Sequence, residues 1–135
     1  MSMTVIESQK VEVNAKQEAI FDFLMDLQNL EKLLPEGKVS DFKAAADTCS
    51  FKVMGAYKIG LKHKSNQRPN NIILESDADS PFPFDLDIKI DELASGSAAY
   101  MVSNADINFF LKQMVEKPLK ALFDHIAAQL KAHFE

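Results

Sequence analysis

The chain has 135 residues, 47% hydrophobic and 26% charged, so it can build one domain with a real core and lacks the bias of a disordered segment. Lys and Arg number 15 against 20 Asp and Glu, a net charge of -5, which argues against the basic footprint of a nucleic-acid binder. No apolar run reaches membrane-spanning length, Met1-Ser2-Met3-Thr4 does not open like a signal peptide, and the single Cys49 cannot form an internal disulfide; a cytoplasmic setting is the simplest expectation.

Thr4 to Val13 is rich in Val and Ile and reads as a strand. Asn14 looks like a helix N-cap, with Gln17 completing a capping box. Ala19, Ile20, Phe21, Phe23, Leu24 and Leu27 carry a first helix. Leu30, Leu33 and Leu34 carry a second short one, with a break near 26–29 and a stop at Pro35-Glu36-Gly37.

After Gly37 the apolar period moves towards two. Lys38 to Ala44 is a strand, followed by a weak turn from Ala45 to Thr48. Cys49, Phe51 and Val53 then share one face of the next strand, and Gly55-Ala56 turns the chain. Tyr57, Ile59, Leu61 and His63 oppose Lys58, Gly60, Lys62 and Lys64, whose lysines form a solvated face. Ser65 to Asn71 reads as a polar loop, Asn71 to Ser76 as a strand and Asp77 to Pro83 as a loop.

The cleanest alternation runs from Phe84 to Asp91: Phe84, Leu86, Ile88 and Ile90 inward, Asp85, Asp87, Lys89 and Asp91 outward. Ser95-Gly96 turns the chain into a return strand, Ala98 to Ser103, on which Tyr100 and Val102 are assigned to the inner face. Short connections imply antiparallel neighbours.

From Ile107 to Phe134 apolar residues recur at helical spacing, including Phe110, Leu111, Met114 and Val115 early and Leu122, Phe123, Ile126 and Leu130 late. A helix with so wide an apolar stripe must lie on something apolar, and the concave face of the sheet is the only large candidate. Pro118 removes the hydrogen bond to the Met114 carbonyl and is expected to kink this helix. A curved sheet holding one long helix can leave a cavity between them.

This order of elements, together with Glu18-Ala19-Ile20-Phe21-Asp22-Phe23-Leu24-Met25-Asp26 and Asn29-Leu30-Glu31-Lys32-Leu33-Leu34-Pro35, resembles the helix-grip superfamily of START domains, Bet v 1-like allergens and polyketide cyclase-like proteins. Many relatives place Trp where this chain has Leu33 or Leu34, and the chain has no Trp. The resemblance implies an α+β domain over residues 1–135, with an antiparallel sheet of about six to seven strands around the last helix. It also implies an apolar cavity. Members bind lipids, sterols, polyketides, quinones or plant hormones, and a few catalyse cyclisation or dehydration. Fold membership alone does not choose among these.

The expected occupant is therefore a small hydrophobic or amphipathic ligand. The expected walls are Phe51 and Val53 on one strand, Tyr57, Ile59 and Leu61 on the next, then Leu74, with Phe84, Leu86 and Ile88 opposite. Tyr100 and Val102 would close the sheet side, and Phe110, Leu111 and Met114 the helix side. His63 ends an apolar face and either reaches one end of the cavity or lies exposed near a loop. Tyr57 and Tyr100 need hydroxyl partners if buried, with Asn104 a candidate. Pro81-Phe82-Pro83-Phe84 is either a small packed cluster or a lip of the cavity.

Other patterns point away from catalysis or metals. His125 and His133 are eight residues apart on the last helix, unlike the one-turn spacing of metal pairs. Asp77-Ala78-Asp79-Ser80-Pro81 starts like a calcium loop but has Phe82 at its sixth position and Ile88 at its twelfth. Asp85 and Asp87 face water, and Cys49 shares parity with Phe51, so a buried inert thiol is expected. No sequence pattern calls for a cofactor. The alternatives are a cyclase- or dehydratase-type enzyme using His63 with a tyrosine, or a filled-core interaction module acting as a homodimer.

Overall fold

The computed structural model describes residues 3–53, 57–78 and 80–135. The expected Gly55-Ala56 turn, the first two residues and Asp79 of the rejected calcium pattern lie outside them. The elements are β1 (Met3–Glu7), β2 (Val11–Val13), α1 (Gln17–Met25) and a 3-10 helix (Leu27–Leu33), then β3 (Val39–Ala44), β4 (Thr48–Val53) and β5 (Tyr57–Gln67). They continue with β6 (Asn71–Ser76), β7 (Phe84–Glu92), β8 (Ser97–Asp106) and α2 (Phe109–His133).

The sheet is antiparallel, in the order β1-β8-β7-β6-β5-β4-β3, with β2 also pairing β8. The first expected strand is thus two short ones. The break follows from Ser8, whose N–H donates to the Met101 carbonyl while its Oγ accepts the Met101 N–H.

The helical break near 26–29 is present. Asp26 accepts the Gln28 N–H through its carboxylate and starts the 3-10 helix. The capping box at Asn14 and Gln17 does not form. Lys16 is the N-cap of α1 and its ammonium, a donor only, makes no side-chain cap, while the Gln17 amide donates to the Ile90 carbonyl at 2.8 Å and ties α1 to β7.

β5 runs through the expected polar loop as far as Gln67, with a register shift between His63 and Ser65, and its last four residues are all exposed. Gly60 lies on the lysine face of β5 yet is buried. Asp77 covers it, donating its N–H to the Gly60 carbonyl, and a Cβ at Gly60 would collide with the Asp77 carboxylate.

One large apolar core fills the space between sheet and helices, with Ile20, Leu33, Ile72 and Ile90 fully enclosed. Two buried serines are satisfied: Ser97 donates to the Ala15 carbonyl and Ser103 to the Asp85 carbonyl, both at 2.8 Å. α2 continues through Pro118 and packs mainly on β1, β2, β8 and the 3-10 helix. Its polar side chains also meet the open edge of the sheet. Lys120 Nζ donates to the Glu7 carbonyl, Lys131 Nζ to the Glu12 carbonyl, and Asp124 accepts the Gln9 N–H.

Candidate ligand cavity

Between the concave face and α2 lies an apolar cavity of about 40 Å³, counted as space open to the centre of a water-sized sphere. On the sheet side β4 contributes Phe51, β5 Ile59 and Leu61, β6 Leu74, and β7 Phe84, Leu86 and Ile88. All seven are among the expected walls, and each is buried. The floor comes from Leu24, Leu27 and Leu30 of α1 and the 3-10 helix. The helix wall is the later half of α2, with Leu119, Leu122, Phe123, Ile126, Ala127 and Leu130.

Two further spaces adjoin it through shared side chains. A pocket of about 20 Å³ uses Ile59 and Leu119 again, together with Val53, Tyr57, Phe82 and Pro118. A surface cleft of about 140 Å³ shares Leu122 with the interior and Val53 and Pro118 with the small pocket. Pro35, Lys38, Ala121 and His125 complete the cleft. The interior is thus one side-chain layer from solvent at Leu122.

The inner-face assignment of Tyr100 and Val102 is corrected by register. β7 pairs Ile88 with Met101 and Ile90 with Ala99, so Ala99, Met101, Ser103 and Ala105 share the buried face. Tyr100 pairs with Lys89 and Val102 with Asp87 on the outer face. Tyr100 borders the cavity between Ala99 and Met101, while the Lys10 ammonium lies 5.1 Å from its ring centroid. Asn104 bonds Asp85 rather than a tyrosine. Adjacent small residues, Ala98 and Ala99, gave no alternation to read. Counting back across the loop 93–96 from Glu92, which pairs with Ser97, would have set the parity.

The first half of α2 also departs from expectation. Phe110 is 70% exposed, Met114 46% and Phe109 72%, and neither Phe110 nor Met114 lines any of these three spaces. Leu111 is half-buried against the core and lines none of them either. The apolar period continues through the whole helix, but its fully buried residues run only from Val115 onward.

His63 lies off the cavity. Its Nε2 is 2.9 Å from the Met25 carbonyl, which can only accept, so in the neutral ring Nε2 carries the proton. Nδ1 is buried with no partner among the described residues. The ring ties β5 to the end of α1, and neither tyrosine is bonded to it. Phe82 is both packed and a lip: it is buried, its ring centroid is 5.6 Å from that of Phe84, and it lines the small pocket.

Charge stays outside. Arg68 donates twice to Asp22, and that pairing holds the Asp22 carboxyl below the usual carboxylate range. Burial, with Asp77 adding to it, pushes the Cys49 thiol up to about 12. Among the described residues no group of three or more His, Cys, Asp or Glu is placed to hold a metal ion. No helix among them is long and apolar enough to cross a membrane.

The architecture is that of the START/Bet v 1-like helix-grip fold. Solved structures show the same arrangement at low identity. The KanY protein superposes with a TM-score of 0.79 at 15% identity, covering 99% of both chains. A START superfamily protein from Mycobacterium smegmatis gives 0.73 at 13%, over 98% of this chain and 96% of that one. Norcoclaurine synthase from Thalictrum, solved with a transition-state analogue, gives 0.71 at 13%, over 99% and 98%. No protein-family sequence profile matches the chain, and no curated protein sequence is significantly similar to it. These likenesses define the fold and leave the occupant open.

Proposed function

We propose that this domain binds a small apolar or amphipathic molecule between the sheet and the later half of α2. The observation that carries this is an apolar interior set beside two further spaces, with Ile59 and Leu119 standing between it and the small pocket and Leu122 between it and the cleft. The interior alone is small. At about 10–15 Å³ of such volume per water it holds three or four waters, less than the engineered cavity of about 150 Å³ that admits benzene. An occupant larger than that must part Leu119 and Leu122 and extend into the cleft. The analogue held by norcoclaurine synthase, which has this fold, supports the reading that such a fold takes up a small molecule.

The walls hold no acid–base pair, which favours binding over catalysis: Tyr100 turns its ring outward and His63 is engaged with Met25. Native mass spectrometry of the purified protein tests the reading, with titration of Nile red as a second arm. The expected result is a co-purifying apolar compound or saturable one-to-one dye binding. A protein that carries nothing and binds no dye is a filled-core module. A second reading, self-association, is favoured by the exposed Phe109 and Phe110. Sedimentation equilibrium of the wild type and Phe109→Ser/Phe110→Ser checks it, and a monomer in both would remove it.

A further inference from the structure

The polar groups around the cavity are distributed unevenly. Its interior lining offers no charged side chain, so an ionic head buried there would lose its hydration without a partner. The cleft that shares Leu122 with the interior is different. Its lining includes two basic side chains, Lys38 and His125, and no carboxylate. Lys38 forms no ion pair among the described residues. Asp124, next to His125 in sequence, is already engaged by Lys120 and by the Gln9 N–H. Two unengaged basic groups at one mouth stand out on a chain of net charge -5.

The loop after the 3-10 helix supplies Lys38 and α2 supplies His125. Both line the cleft, together with the buried Leu122 and Val53. An ammonium and an imidazole N–H are both donors, and together they suit an oxyanion. The apolar remainder of such a ligand would pass Leu122 into the interior.

We propose that the occupant is an amphipathic carboxylate: a single acid group held at the cleft by Lys38 and His125, on an apolar chain that runs inward past Leu122. This rests on the container reading above and adds a head group and an orientation to it. A neutral chain of the same length forgoes the charge contact, and a cationic head meets like charge at the mouth.

The test uses the wild-type protein and three probes, dodecanoate, dodecanol and dodecylamine, each kept below its aggregation concentration and read by displacement of Nile red. Dodecanoate is expected to bind at least about fivefold tighter than dodecanol, which is about 1 kcal/mol. Dodecylamine is expected to bind more weakly than dodecanol. In Lys38→Met/His125→Leu the acid should lose its advantage and bind no tighter than the alcohol does to the same variant. Lys38 is exposed and His125 half-buried, and circular dichroism of the variant against wild type is the check on its folding. A preference below fivefold in the wild type, or a preference that survives in the variant, overturns the head-group assignment and leaves the container intact. If neither dodecanoate nor dodecanol displaces dye, the container reading fails and this assignment falls with it.

Discussion

Ala127 offers the sharpest test of whether the interior space receives a ligand. It is 1% exposed, sits on the cavity side of α2, and is one of the smallest side chains in the lining. Ala127→Leu adds three carbons at that wall. Helix propensity barely changes, since Leu ranks next to Ala. Burying the added carbons contributes about 2.4 kcal/mol at about 0.8 kcal/mol each. Fixing the Leu rotamer costs about 0.5–1 kcal/mol, and pressing it into a space of this size adds strain of about 1–3 kcal/mol. The terms nearly cancel, so stability should move by no more than about 1.5 kcal/mol in either direction. Dye affinity should fall by at least tenfold, because the space is then occupied by the protein itself. Urea unfolding measures the first quantity and Nile red titration the second. A folded variant with wild-type dye affinity would show that the dye sits elsewhere. A loss of several kcal/mol would show that Ala127 already faces packed atoms, and the cavity argument would fail with it.

Four more outcomes follow from the same structure. Met114→Ser should leave stability within about 0.5 kcal/mol and dye affinity unchanged, since this side chain is 46% exposed and lines no wall; a large effect in either assay would place it back in the cavity. Gly60→Ala should cost about 1–3 kcal/mol by forcing the Asp77 carboxylate aside, and Asp77→Gly should relieve part of that cost in a double-mutant cycle; additive effects would disprove the contact. Cys49 should resist a thiol reagent at pH 8 and react at the rate of unfolding, as its thiol is pushed up to about 12; rapid labelling of the folded protein would contradict its burial. Asp22 has its folded pKa lowered by Arg68, so the small stabilisation from this exposed pair is present above the unfolded pKa and lost as pH falls through the folded one. The difference in urea midpoint between wild type and Asp22→Asn should therefore shrink in acid and in high salt, and a difference independent of both would rule the pair out.

Much of the architecture is legible where one face of an element is wet and the other dry. Phe84 to Ile90 alternates without error because Asp85, Asp87 and Lys89 meet solvent, and the sheet residues in the wall other than Leu74 follow from such patterns. Legibility ends where tertiary partners decide. β8 carries small residues on both faces, so only its pairing with β7 shows that Met101 and not Tyr100 points inward. α2 keeps its apolar period from end to end, and nothing local tells that the sheet leaves Phe110 uncovered. Gln17 looks like half of a capping box until β7 supplies the Ile90 carbonyl as a better acceptor. The cleft was not legible at all, since Lys38 and His125 are 87 residues apart (125 minus 38) and only the fold brings them to one mouth.

The contacts of α2 with the open edge of β1 and β2 bear on how this chain avoids recruiting copies of itself. An unpaired strand edge is a template for another strand. Here Lys120 and Lys131 occupy the Glu7 and Glu12 carbonyls, and Asp124 takes the Gln9 N–H, so part of that template is filled from within the chain. At the opposite edge, β3 is bent by a register shift around Asp41, whose φ of 55° breaks the flat ladder a newcomer would need. The first edge is guarded by an element that leaves the ribosome after the whole sheet. Until α2 docks, that edge is open, and this is the interval in which these chains are most able to stick to one another.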